Sequence, residues 1–361
     1  MESSSLYAFV ASVSEGGALR VEENLGQGYV RLRVSEAERR QAKHDIQHVE
    51  DIVIELLRNA RDAGATAVYV ASSQEEGVRT LTVLDDGCGI PSDMRERVFE
   101  ARVTSKLDSM CVDRWGIHGR GMALYSIRQN TLEAGVVASG ERLGTSIRVK
   151  ADTSQLPERA DQSTWPAVER TEDGAYACVR GPHNIVRAVC EFALEERHAV
   201  SVFLGSPSEV VATLYAAGST SLDAAQLLFL DSEDALPVTQ RPACAVDAAD
   251  LMSIAASVGL DISERTAHRV LSGSIRPVRS VSSTLLRSRT PASTAPKEVD
   301  LSHDRRGLKI ASEDLEAFAR AMERDFGELG SRYYLSLQDP PRIRVGHDRI
   351  TVTFDVSEED T

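Results

Sequence analysis

Apolar and polar residues alternate with period two in LRVEE and YVRLRV, with Gly26 and Gly28 between them as turn residues, so residues 1–38 read as a β-rich lead-in. The period then changes to that of a helix, and one long helix is expected from about Ser35 to Ala63. Two strands follow, TAVYVAS (66–72) and RTLTVLD (79–85), joined by a polar turn containing Gly77 and followed by the glycine-rich DDGCGIP. A short helix, a polar loop, a helix over about 120–133 and strands near 135–139 and 145–149 continue the alternation. This order implies an α/β two-layer sandwich.

Beyond Lys150 the pattern weakens. Residues 151–176 read as a loop-rich connector, and HNIVRAVCEFALEE and PSEVVATLYAAG as helices around the strand AVSVFLG. AADLMSIAASVGL and ERTAHRVLSG read as two short helices. They resemble a helix-turn-helix, with Gly259 at the turn and Arg265, His268 and Arg269 on the second helix, although the turn is longer than usual; a packed helical hairpin fits the same residues. Residues 277–300 have the Ser, Thr, Pro and Arg content of a linker. In the helix expected over 312–329, Leu315, Phe318, Ala319, Met322, Phe326 and Leu329 share a face, and short strands follow.

Composition narrows the class. At 42% hydrophobic and 27% charged, the chain reads as soluble and globular. No apolar run reaches the ~18–20 residues of a membrane helix, and the first residues lack the basic start of a secretion signal. Cys88, Cys111, Cys178, Cys190 and Cys244 form no C-x-x-C pair, which argues against a zinc or disulfide framework. A cytoplasmic location is expected. The net charge of −14 disfavours non-specific nucleic-acid binding by the chain as a whole. A local basic run, Arg276, Arg279, Arg287, Arg289 and Lys297, contains no acid and leaves nucleic acid open as a partner.

Four short stretches hold the candidate chemistry. In IVIELLRNARDAGA, Glu55, Asn59 and Asp62 fall within about 60° of one another around the helix, while Val49, Val53, Leu56 and Ala60 form a separate apolar stripe. A glutamate can act as a general base on water and an asparagine oxygen can bind Mg²⁺, although a solvated polar face has the same spacing. Asp85 ends an apolar strand before Gly87 and Gly89, where a carboxylate can accept a hydrogen bond from an exocyclic amine and glycines allow close approach to a planar ligand. A plain glycine turn is the alternative. Gly116, Gly119 and Gly121 precede a helical pattern, which suits phosphate. Gly144 and Thr145 open a strand, and Lys106 and Arg120 are nearby basic candidates for phosphate contact.

Taken together, the four stretches closely resemble the GHKL superfamily of gyrase, heat-shock chaperone ATPases, histidine kinases and MutL. ELLRNARDAGA resembles its N-box, DDGCGIP its D-x-G-x-G box, GIHGRG its second glycine box and GTSI its last. The resemblance implies a Bergerat-type α/β sandwich over residues 39–152 with a mobile lid at about 100–120. It implies ATP and Mg²⁺ as ligands, Glu55 as catalytic base and Asn59 as metal ligand. Asp62, Asp85, Gly87, Gly89, Lys106, Gly116, Gly119, Gly121 and Thr145 would then contact the nucleotide. Further expected divisions are a mixed α/β region over 153–276, a basic linker over 277–300 and a small α+β segment over 301–361. The glutamate of the N-box and VTSKL (103–107) are most similar to the MutL and topoisomerase branches, which implies slow hydrolysis and ATP-dependent homodimerisation. A kinase-like phosphotransfer protein and a non-hydrolysing sensor or nucleic-acid module are the alternatives. His44 is expected to be a surface residue of the N-box helix rather than a phosphorylated one.

Overall fold

Residues 1–20 of the alternating lead-in lie outside the described residues; in the rest of it, β1 (Val21–Gly26) pairs antiparallel with β2 (Tyr29–Leu32) in a hairpin. At Ser35 a capping box starts α1 (Glu36–Asp45): the Ser35 N–H donates to the Glu38 carboxylate at 2.9 Å, and the Glu38 N–H donates back to the Ser35 hydroxyl. The single helix expected up to Ala63 is broken in two. Ile46 leaves helical geometry and buries its side chain, and the Asp51 carboxylate accepts the N–H groups of Gln47 and His48, both at 2.9 Å, to begin α2 (Val49–Asp62). Periodicity reports which way residues face; it does not report a local side-chain cap that restarts the helix.

In this computed structural model the described residues are 21–105, 111–118, 121–159, 161–171, 174–222, 232–287, 312–333, 335–345 and 350–358. The chain forms two compact units, Met1–Thr290 and Pro291–Thr361. In the first, β3 (Ala67–Glu75) and β4 (Val78–Asp85) form a hairpin, and β5 (Val103–Thr104) pairs with β2. β6 (Cys111–Asp113) and β7 (Gly116–His118) form a second hairpin, followed by α3 (Ala123–Gln129), β8 (Glu133–Ser139) and β9 (Thr145–Asp152). A third hairpin of β10 (Ala167–Arg170) and β11 (Tyr176–Arg180) leads to α4 (Ile185–Glu195), β12 (Ser201–Gly205) and α5 (Pro207–Ser221). The last helices of this unit are α6 (Ala248–Ser257), α7 (Glu264–Leu271) and α8 (Val281–Arg287).

The central sheet has the order β12-β3-β4-β9-β8, with β12 parallel to β3 and every other pair antiparallel. It is a mixed sheet and extends past residue 152, because β12 supplies its edge. On one face, Val68, Val70, Leu81, Val83, Ile147 and Val149 join Val53, Leu56 and Leu57 of α2 and Phe192 of α4 in one core. This is the α/β sandwich implied by the sequence. The other face carries a second helical layer: Tyr69, Ala71, Leu84 and Ala138 meet Val211 and Leu214 of α5, Leu251 and Ala255 of α6, and Val270 of α7. Two buried hydroxyls tie the α6–α7 turn to the sheet, Thr82 donating to the Gly259 carbonyl at 2.8 Å and Ser146 to the Val258 carbonyl at 2.7 Å. The α6–α7 pair is thus a packed hairpin, and Arg265, His268 and Arg269 lie exposed on its outer side.

The linker-like stretch is not all irregular. Its residues 281–287 form α8, with Val281 and Leu285 buried one turn apart in the α2–α4 core. Among the described residues, the second unit has α9 (Ser312–Tyr333), one turn longer than expected, with β13 (Leu335–Leu337) paired to β16 (Val356–Glu358) and β14 (Arg342–Val345) paired to β15 (Ile350–Thr353). Phe326 stacks on Phe354 with ring centroids 4.9 Å apart. Of the helix face expected there, Phe318 and Leu329 are exposed.

Candidate functional site

Along β4, Leu81 and Val83 point into the α2–α4 core, and period-two alternation places Asp85 on that same face, at the strand's end. The β4–β9 register sets Asp85 opposite Thr145. Both are buried, and both border a cleft of about 490 Å³ between the sheet and α2. The Asp85 carboxylate accepts the Gly87 N–H at 2.9 Å. Burial nevertheless pushes its pKa from the ordinary 3.8 up to about 6, against the lowering effect of the Gly87 and Thr145 backbone N–H groups. The adjacent Asp86 does different work. It points away to accept the backbone N–H groups of Thr66 and Ala67 at 2.7 and 2.9 Å and the Thr66 hydroxyl at 2.6 Å, fixing the start of β3.

α2 forms the facing wall, and Glu55, Asn59 and Asp62 all border the cleft. The Asn59 Nδ2 is buried without a hydrogen-bond partner. An orphaned amide in a cleft wall costs free energy unless a ligand or water completes it. Among the described residues no group of three His, Cys, Asp or Glu could hold a metal. A divalent ion held at Asn59 would be completed largely by phosphate oxygens and water, the usual Mg²⁺ arrangement. A cleft of this volume, with a buried acceptor at one end and an unsatisfied amide on its wall, fits a nucleotide and its metal.

The remaining sequence candidates divide. Gly89 and Gly121 border the cleft, whereas Gly87 and Gly116 do not. A Cβ on Gly89, which has φ +76°, would stand 1.8 Å from the Gly140 carbonyl oxygen, so packing against backbone demands glycine there independently of any ligand. Gly144, at φ +74°, is equally constrained by the Asp85 carbonyl oxygen at 2.0 Å. Gly116 lies in β7, its carbonyl accepting from Arg58 at 3.1 Å. Lys106, Gly119 and Arg120 lie outside the described residues. His44 is exposed on α1.

Several lining residues were not singled out by motif. Tyr29 enters from β2, before the sandwich begins, and Met122, Ala123 and Leu124 come from the start of α3. Arg58 was legible in principle, since it lies one turn after Glu55 on the same helix. It is buried, and its Nη1 donates to Glu55 Oε1 at 2.6 Å.

Residues 44–155 match the family described as histidine kinase-, DNA gyrase B- and HSP90-like ATPase. This region is a GHKL ATPase domain. The GHKL domain is 40% identical over 86 residues to the DNA mismatch repair protein MutL of Heliobacterium modesticaldum, covering 23% of this chain and 13% of that protein. It is 39% identical over 107 residues to MutL of Staphylococcus aureus, covering 28% and 16%. The chain therefore spans about one-sixth or less of the length of the curated relatives it matches. A solved structure of a mycobacterial sensor histidine kinase, MprB, aligns over 34% of this chain and 74% of that one at 21% identity, with a TM-score of 0.21. A GHKL domain supports ATP binding, and within the matched residues its Bergerat-type sandwich is α2 and α3 packed on β3, β4, β9 and β8. Among the described residues no helix is long and apolar enough to cross a membrane.

Proposed function

We propose that this chain is a nucleotide-gated switch that binds Mg·ATP between α2 and the β4–β9 edge and hydrolyses it slowly. The observation that carries this reading is the buried Asp85–Thr145 pair at the end of a cleft whose wall presents Glu55, Asn59 and Asp62. Asp85 accepts the 6-amine of adenine, a position where guanine carries a carbonyl that cannot donate. Asn59 offers its oxygen to Mg²⁺ and its unsatisfied N–H to the ligand. The metal supplies charge neutralisation of the phosphates when bound. Glu55 takes a proton from the water whose oxygen bonds to the γ-phosphorus as the bond to the ADP oxygen breaks. Gly89, Gly121 and Thr145 shape the cleft, and Asp62 supports its rim.

Incubation with γ-labelled ATP, following free and protein-bound phosphate separately, tests the reading. Free phosphate supports hydrolysis, and stable protein-bound phosphate would favour a phosphotransfer protein instead. A second reading, nucleic-acid binding, is favoured by one observation: Arg265, Arg269, Arg276 and Arg279 are exposed and close in sequence, and none pairs with an acid among the described residues. Repeating the incubation with DNA tests that as well. Stimulation or retention that weakens steeply with salt is the expected sign.

A further inference from the structure

Arg58 is more deeply buried than any candidate on its helix, and it is fully engaged. Its Nη1 donates to Glu55 Oε1 at 2.6 Å; its Nε donates to Asp113 Oδ2 at 2.9 Å; and its Nη2 bonds both the other Asp113 oxygen and the Gly116 carbonyl. The fork towards Asp113 is bidentate, the arrangement that fixes a guanidinium in orientation as well as position. Asp113 is itself held in place. Arg61 of α2 reaches it at 3.4 Å and Glu196 at 3.1 Å, and the Trp115 N–H donates to Asp113 Oδ1 at 3.0 Å. The β6–β7 hairpin that carries Asp113 is fastened to α4 as well: Trp115 packs on Phe192 at 6.0 Å between centroids, and Arg114 pairs with Glu191 at 3.3 Å.

A buried ion-pair network is a poor device for stability alone, because desolvating its charges cancels much of the attraction, and an apolar side chain at position 58 would serve the core as well. What the arginine adds is direction. It ties one oxygen of Glu55 to a carboxylate 58 residues along the chain, and so helps set the orientation of that side chain on the cleft wall. We infer that Arg58 is a positioning residue for Glu55, anchored by Asp113 of the β6–β7 hairpin. This rests on Glu55 being the base for hydrolysis. The hairpin and α4, which follows the GHKL sequence match, thereby become part of the catalytic arrangement: whatever shifts the hairpin shifts the base.

The test compares Arg58→Gln, Arg58→Lys, Asp113→Asn and Glu55→Ala in the full chain, with ATP affinity, kcat, KM and thermal unfolding measured for each. Arg58→Gln is expected to lower kcat by about 10- to 100-fold, the scale of a misplaced catalytic group, with ATP affinity within about threefold of the parent. Arg58→Lys keeps the charge but loses the fork, and is expected to recover part of kcat. Asp113→Asn is expected to lower kcat in the same sense, since it loosens the anchor without touching Glu55. Parental kcat in Arg58→Gln or in Asp113→Asn would overturn the inference, as would a loss of kcat matched by equal loss of ATP affinity. Should Arg58→Gln fail to fold, the Lys and Asp113 variants decide. Parental turnover in Glu55→Ala would instead remove Glu55 as base, and the inference with it; an inactive Glu55→Ala beside a fully active Arg58→Gln separates the two failures.

Discussion

Asp85 sets function against stability within one side chain. The folded chain binds its proton more tightly than the unfolded chain does, because its pKa is about 6 when buried and 3.8 ordinarily. Its contribution to stability is therefore fully present below pH 3.8, and is lost as pH rises through about 6. At pH 8 the buried charge costs up to about 3 kcal/mol, two pKa units at 1.36 kcal/mol each. Asp85→Asn should consequently raise the melting temperature at pH 8 and abolish ATP binding, measured by scanning calorimetry and titration calorimetry; a variant that binds ATP as tightly as the parent removes Asp85 as the adenine reader. In the parent, affinity should fall as pH drops below about 6, and the fall should persist with adenosine, which has no phosphate to titrate. Asn59 has a different signature. Asn59→Ala should weaken ATP binding markedly in Mg²⁺ and much less in EDTA, and equal losses in both would argue against the metal role.

At the scale of elements, α2 does two jobs. Its polar stripe walls the cleft and its apolar stripe holds the sheet, Leu56 and Ala60 serving both, so changes at Val49 or Val53, which do not border the cleft, should separate in experiment from changes at Glu55 or Asn59. The helical layer on the far face, α5 to α7, contributes no cleft residue and reads as scaffold. Leu251→Ala in α6, where the side chain is fully buried, should cost about 2–5 kcal/mol in denaturant unfolding and leave ATP affinity unchanged. A fragment ending at residue 155 should aggregate, because it strips β3 of its parallel neighbour β12 and bares Tyr69, Ala71, Leu84 and Ala138. A soluble, ATP-binding fragment of that length, checked by light scattering and calorimetry, would show that the sandwich needs no second layer.

For the whole molecule, the proposed switch predicts a nucleotide-dependent change of state. If the proposed switch couples the cleft to the Asp113 anchor, a non-hydrolysable ATP analogue should slow hydrogen exchange in the β6–β7 hairpin. It should also raise the mass seen by light scattering if the chain dimerises as the resemblance implies. Ordering without dimerisation would favour a sensor or phosphotransfer role over a dimer clamp. Screening of the net charge of −14 would strengthen any self-association as salt rises, whereas any DNA association through the arginines near α7 would weaken as counterion release loses its advantage; varying salt alone therefore distinguishes the two kinds of partner.

Local chemistry, repeated at fixed spacing, was enough to determine the family of residues 44–155, the α/β sandwich and the order of its main strands and helices, but not β5 or the β6–β7 hairpin, which fall where a polar loop was expected. Strand period, helix period and glycine boxes are properties of neighbours along the chain. The break at Ile46–His48 escaped because Asp51 caps a helix whose apolar face continues in phase. Helix α8 escaped because two buried side chains outweigh a linker-like composition. Only the tertiary structure decided that a second helical layer covers the sheet, that Tyr29 reaches the cleft from outside the sandwich, and that Arg58 joins Glu55 to Asp113. Each of these depends on contacts between residues far apart in sequence, as Arg58 is from Asp113. The closing of long loops and the desolvation of charges settle such contacts, and neither leaves a periodic trace in the chain.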